Sequence, residues 1–132
     1  MGKIIWKSSG KSLAELKQTK LNELNQSCND SILLGFDYTI NGVEYHFSFD
    51  MESQFNFQGA VTLLDKDIVQ EIEWTVMNNG NYERIMIDKS TMNELMLKIL
   101  QHKDSNIKRF RNILMPLVDI AQSKEQLDSI VW

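Results

Sequence analysis

The sequence predicts an α+β fold: a small antiparallel sheet of two β-hairpins packed against helices, with a helical carboxyl-terminal third. Two observations place the strands. Residues 36 to 49 alternate strictly in polarity about Asn41-Gly42, and a second alternating stretch runs from Ile68 to Asp88 about Asn78-Asn79-Gly80-Asn81. A third observation places the helices, because apolar residues recur at 3.6-residue spacing before, between and after these stretches. The strands are expected to form one sheet covered by helices on one side.

Residues 1 to 11 read as an amino-terminal arm. Ile4, Ile5 and Trp6 form a short apolar group ahead of the polar joint Lys7-Ser8-Ser9-Gly10, and they are the candidate partner-docking residues. The remainder, residues 12 to 132, reads as a single α+β domain, long enough to bury roughly two-thirds of its unfolded surface without disulfides or metal. An apolar fraction of 42% with 24% charged residues fits a chain that folds by itself.

Ser12 and Glu15 make a capping box at the start of a helix over residues 12 to 34. Its apolar stripe is Leu13, Leu16, Leu21, Leu24, Cys28 and Ile32, and Gly35 supplies the left-handed residue that ends it. In the hairpin that follows, a two-residue Asn-Gly turn of type I′ sets Ile40 opposite Val43, Tyr38 opposite Tyr45 and Phe36 opposite Phe47. Those six and Phe49 share one apolar face, while Asp37, Thr39, Glu44, His46 and Ser48 point the other way. A lone hairpin is marginal in water, so that face needs a cover.

Asp50 caps the next helix, which packs through Phe57, Ala60, Val61 and Leu64. Gly59 weakens this helix and leaves room for close approach of another backbone. In the second hairpin Ile72, Trp74 and Val76 alternate inward. Thr91 and Glu94 then make a capping box for a long helix carrying Met92, Leu95, Met96, Ile99, Ile107, Phe110, Ile113, Leu114, Leu117 and Ala121 at helical spacing. Pro116 should bend or end its first straight section, and the polar run 101 to 106 is a second expected break. Ser123 and Gln126 cap a last short helix ahead of Ile130, Val131 and Trp132.

Several pieces of this sequence, taken in order, resemble a bacteriophage domain of unknown function found in tail-fibre and other tail-associated proteins. They are Asn25 and Cys28 on an amphipathic helix leading into Gly35-Phe36, then Gln54-x-Asn56-Phe57-x-Gly59-Ala60, and finally a short capped helix closing on Ile130-x-Trp132. Ser53 stands where that family has aspartate, and Ser90-Thr91 where it has His-Thr. The resemblance implies a tail or tail-assembly setting, makes a trimer plausible by analogy, and brings no catalytic activity with it. It marks Asn25, Cys28, Gly35, Phe36, Gln54, Asn56, Gly59 and Trp132 as structural positions.

The chemistry-bearing residues read as packing or solvated surface. A net charge of −4 gives no drive toward nucleic acid or anionic membrane. His46 opposes Asp37 as an exposed cross-strand contact rather than an acid–base pair. His102 with Lys98, Lys108, Arg109 and Arg111 reads as a solvated helix face. Asp65, Asp67, Glu71 and Glu73 lack the spacing of a calcium loop. Cys28, the sole cysteine, sits on an apolar stripe, and Gly10-Lys11-Ser12 lacks the rest of a phosphate loop. The seven methionines read as gap-fillers in the core. Of the amides Asn25, Gln54 and Asn56, at least one is expected to hold the helix–hairpin junction by bonding to strand backbone.

The function expected from these readings is a non-enzymatic bacteriophage protein of the tail: a tip, baseplate or fibre component, or an assembly accessory, acting by protein–protein binding. The alternative is a phage effector that binds and modulates a host bacterial protein. No cofactor, metal, nucleic acid or membrane is expected. Its place would be the host cytoplasm during synthesis and the virion tail after assembly, given that residues 1 to 10 lack a secretion signal and no apolar run approaches a membrane span.

Overall fold

A computed structural model describes residues 10–132, so the arm residues Ile4, Ile5 and Trp6 lie outside the described residues. The chain forms two compact units, one of residues up to Asn29 with Asn106–Trp132, the other Asp30–Ser105. Elements run α1 (Leu13–Leu33), β1 (Phe36–Ile40), β2 (Val43–Phe47), α2 (Met51–Asp65), β3 (Glu71–Asn78), β4 (Asn81–Asp88) and α3 (Lys89–Lys108). A π-helical turn (Arg109–Leu114), α4 (Met115–Ile120) and α5 (Lys124–Asp128) complete the chain. The fold is α+β, with a four-stranded antiparallel sheet in the order β1-β2-β3-β4 and a helical carboxyl-terminal stretch.

Within Asp30–Ser105 the first hairpin has the register that its Asn-Gly turn dictates: Phe36 opposes Phe47, Tyr38 opposes Tyr45, and Ile40 opposes Val43. Asn41 and Gly42 both have positive φ, 52° and 80°, as a type I′ turn requires. The second hairpin repeats the device, with Asn79 and Gly80 at φ 50° and 81° and Asn78 opposite Asn81. Its strands begin at Glu71, so Ile68 to Gln70 belong to the preceding connection.

The inner face carries Phe36, Phe47, Phe49, Val76 and Ile87, closed by Phe57, Ala60 and Leu64 of α2 and Met92, Leu95 and Ile99 of α3. Phe47 is fully buried, and the phenyl rings of Phe36 and Phe47 stack at 5.5 Å. Burial weakens toward the turn: Tyr38, Ile40 and Tyr45 are half-buried and Val43 is exposed. The other unit has a core of Leu24, Leu114, Val118, Ala121, Leu127 and Ile130, with Leu16, Leu21, Phe110 and Trp132 packed against it.

The caps show where local rules held and where they were re-routed. Ser12 Oγ accepts from the Glu15 amide at 3.2 Å, but the Glu15 carboxylate takes the Ser12 hydroxyl instead of a backbone amide. Asp50 Oδ1 accepts from the Ser53 amide at 2.8 Å. For α3 the expected Thr91 cap is displaced to Asp88, whose Oδ1 accepts from the Thr91 amide at 2.8 Å; β4 runs directly into the helix, and its last residue is the cap. Glu94 is thereby released to accept the Tyr38 hydroxyl at 2.9 Å. At the last helix Ser123 Oγ accepts from the Gln126 amide and Gln126 Oε1 from the Gln122 amide.

The polar run 101 to 106 does not break α3, which continues to Lys108. The irregularity falls immediately before Pro116, where the Met115 amide bonds the Phe110 carbonyl, five residues back. A proline ring clashes with the carbonyl four residues earlier in an α-helix, and widening the turn relieves that clash. One extra residue in the turn also changes which side chains face inward. Leu114 and Val118 are buried, whereas Ile113 and Leu117, expected in the core, are exposed.

Candidate functional site

The site is a groove of about 550 Å³ between α2 and β3, inside the Asp30–Ser105 unit. It exists because β2 stops at Phe47 and the chain turns away through Ser48, Phe49 and Asp50 into α2. Gln54 fastens this junction by donating from Nε2 to the Phe49 carbonyl at 3.1 Å; Phe49 lies beyond the end of β2, so the bond goes to the connection and not to the strand backbone expected for one of the three amides. With Phe57, Ala60 and Leu64 buried, α2 presents Phe55, Asn56, Gly59 and Leu63 to the groove. The opposite wall is β3 from Ile72 to Met77, with Tyr82 of β4 beyond it.

The lining is aromatic and apolar with few ionisable groups. Phe55 is 75% and Tyr82 76% exposed, large apolar rings held in water beside the groove. Trp74 stacks on Phe57 with ring centroids 4.5 Å apart, which makes it a rigid part of the wall. Of the groups lining the groove only Glu73 is an acid, and its Oε1 accepts from Arg84 Nη1 at 3.0 Å. A β-carbon added at Gly59 would meet nothing within 4 Å. The room that Gly59 leaves for another backbone is not taken up by one among the described residues, and the glycine opens onto the groove.

The sequence of residues 15–130 matches a family described as a domain of unknown function, DUF4376. The chain belongs to this family. No curated protein and no solved structure matches it. The family description carries no activity, so the chemistry of this DUF4376 domain has to come from its own side chains.

The structure brings two of the structural positions, Asn56 and Gly59, into the groove and distributes the others. Gly35 ends α1 with φ +92° and stands where a β-carbon would collide with the Phe47 carbonyl oxygen. Phe36 is core, and Asn25 is exposed on α1. Cys28 is 3% exposed; its thiol donates to the Asn106 carbonyl at 3.5 Å, and burial raises its pKa while Arg111 opposes that rise more weakly. Trp132 packs on the carboxyl-terminal core under Arg109, whose guanidinium carbon lies 4.5 Å from the ring centroid.

Both histidines have structural surroundings. His46 Nδ1 lies 2.8 Å from Asp37 Oδ1, the expected cross-strand contact, and Nε2 lies 2.8 Å from the Leu34 carbonyl oxygen. His102 departs from the solvated face expected of it. Its ring sits 5.7 Å from Phe36 and 6.2 Å from Phe49, with Nε2 2.9 Å from the Ile32 carbonyl oxygen. Among the described residues no three His, Cys, Asp or Glu side chains are placed to hold a metal ion, and no helix is long and apolar enough to cross a membrane.

Phe55 and Tyr82 went unread in the sequence, although each left a signal. Phe55 is out of phase with Phe57, Ala60 and Leu64 on a 3.6-residue period, and Tyr82 falls on the outward alternation of its strand. A second apolar hollow, of about 530 Å³, lies in the other unit among Leu117, Ile120 and Val131, all exposed.

Proposed function

We propose that this chain is a non-enzymatic bacteriophage protein associated with the tail, as a tip, baseplate or fibre component or an assembly accessory, acting by protein–protein binding. The single observation that carries the binding reading is the pair Phe55 and Tyr82, three-quarters exposed beside a groove walled by Trp74. Aromatic anchors at a groove are what protein interfaces use, because they bury much apolar area with few rotamers to immobilise. The tail setting is supported by the ordered motifs from Asn25 to Trp132. Partners are accordingly other tail proteins.

Two measurements test this reading. Mass spectrometry of purified particles beside infected-cell lysate should find the chain in particles or bound to tail precursors; its recovery only with a host enzyme would replace the tail role with that of a host-directed effector. Phe55→Ala with Tyr82→Ala should abolish capture of the tail partner while leaving the circular dichroism spectrum unchanged. Retained capture would remove the groove from the mechanism.

A further inference from the structure

The edge of β3 that faces the groove is an unfilled strand position. In a two-residue hairpin the residues flanking the turn, here Asn78 and Asn81, exchange both backbone bonds, so Ile72, Trp74 and Val76 direct their peptide groups to β4. Glu71, Glu73, Thr75 and Met77 therefore direct theirs away from β4. Met77 is met by His46, and there the β2–β3 ladder ends, because the chain beyond Phe47 leaves for α2. Among the described residues no helix or loop backbone bonds to Glu71, Glu73 or Thr75. An open edge of this kind is a template for another strand.

Charge selects the occupant. Residues 50–75 carry six carboxylates, Asp50, Glu52, Asp65, Asp67, Glu71 and Glu73, against Lys66 alone. Arg84 and Lys89 answer Glu73 and Asp67, so the lining itself holds no unanswered acid and the excess negative charge, Asp50, Glu52, Asp65 and Glu71, lies on the stretches of chain that lead into and out of the groove walls. Pairing of β3 with β3 of a second copy, centred on Glu73, would set that carboxylate against itself, and like charges directly opposite are destabilising. We propose that the groove captures an extended, cationic segment of a partner polypeptide, which adds to β3 as a further strand with alternate apolar side chains against Phe55 and Trp74. This rests on the protein-binding reading above and specifies its mode.

The test is a titration of the full chain with a fluorescein-labelled peptide of alternating lysine and valine, as long as β3 at 8 residues. Saturable binding is expected, weakening with added salt. Methylating the peptide nitrogens that face β3 removes one or two backbone bonds and should weaken binding about tenfold. Gly59→Gln should abolish binding by filling the groove, with thermal unfolding no lower than wild type as the check on folding. Equal affinity for the methylated peptide, or for one with glutamate in place of lysine, overturns the proposal. So does sedimentation in which wild type self-associates and Gly59→Gln is monomeric, since the occupant is then a second copy. Failure of the peptide with loss of tail-partner capture in the Phe55→Ala, Tyr82→Ala variant removes strand addition and leaves the binding function. If neither depends on the groove, both fall.

Discussion

Replacing Gly35 by alanine should cost this fold more than any other exchange of one methyl group. Gly35 sits at φ +92°, where an L-residue is strained by about 1–2 kcal/mol. The added carbon would also collide with the Phe47 carbonyl oxygen, a backbone atom that cannot swing aside, and would lie 3.0 Å from His46 Nε2. Relief requires β1 to shift against β2 where Phe36 and Phe47 stack, and backbone shifts of this sort in packed cores cost about 1–3 kcal/mol. Disturbing the His46 contact to the Leu34 carbonyl adds about 1 kcal/mol. The total is on the order of 3–6 kcal/mol, a large part of the roughly 5–15 kcal/mol that holds a domain together. Urea unfolding followed by far-ultraviolet circular dichroism measures it. A Gly35→Ala protein within about 1 kcal/mol of wild type would refute the argument, because such a small loss cannot accommodate the left-handed strain together with the collision.

The same substitution at Gly59 has the opposite sign: its carbon enters open space, so Gly59→Ala should stabilise α2 by about 0.5–1 kcal/mol in the same assay while weakening capture of the groove's partner. Cys28 should resist a thiol reagent such as dithionitrobenzoate in the native protein and react once urea unfolds it, since burial both blocks access and raises its pKa; rapid native labelling would contradict this placement. Acid should weaken the helix starts. Hydrogen bonds from Ser53 and Thr91 hold the Asp50 and Asp88 carboxyls below their ordinary 3.8, so their contribution is present above that pH and lost as pH falls through the lowered values. A protein with Asp50→Asn and Asp88→Asn keeps the caps but not the titration, and its stability should fall less steeply below pH 3.8 than that of wild type.

What the sequence made legible was set by short-range rules. The register of the first hairpin followed from the Asn41-Gly42 turn, and the Ser12, Asp50 and Ser123 caps followed from side chains three residues from their partners. The errors arose where two local rules met. Thr91 had a capping pattern, but Asp88 came first because a strand ran straight into the helix. Ile113, Leu114 and Leu117 were all read onto the apolar spacing, but with the wider turn ahead of Pro116 only Leu114 is buried, and Val118, which was not read as core, takes the inward position instead of Leu117. The groove was illegible for a different reason. It depends on where β2 ends relative to β3, a tertiary relation that leaves no periodic trace; Ile72, Trp74 and Val76 were legible as an inward strand face, and only Phe55 and Tyr82 stood out of phase with otherwise regular elements.

The two Asn-Gly turns also give the sheet a chemical lifetime. In an Asn-Gly pair the following peptide nitrogen, which no side chain shields, can attack the asparagine side-chain amide carbon and expel ammonia, and water then opens the cyclic imide mainly to an isoaspartyl link with an extra methylene in the main chain. A two-residue type I′ turn cannot absorb that added length, so ageing at Asn41 or Asn79 would loosen the pairing of the strands on either side. Because Asn79-Gly80 closes the hairpin that contains β3, damage there would reach the groove without touching a single residue that lines it.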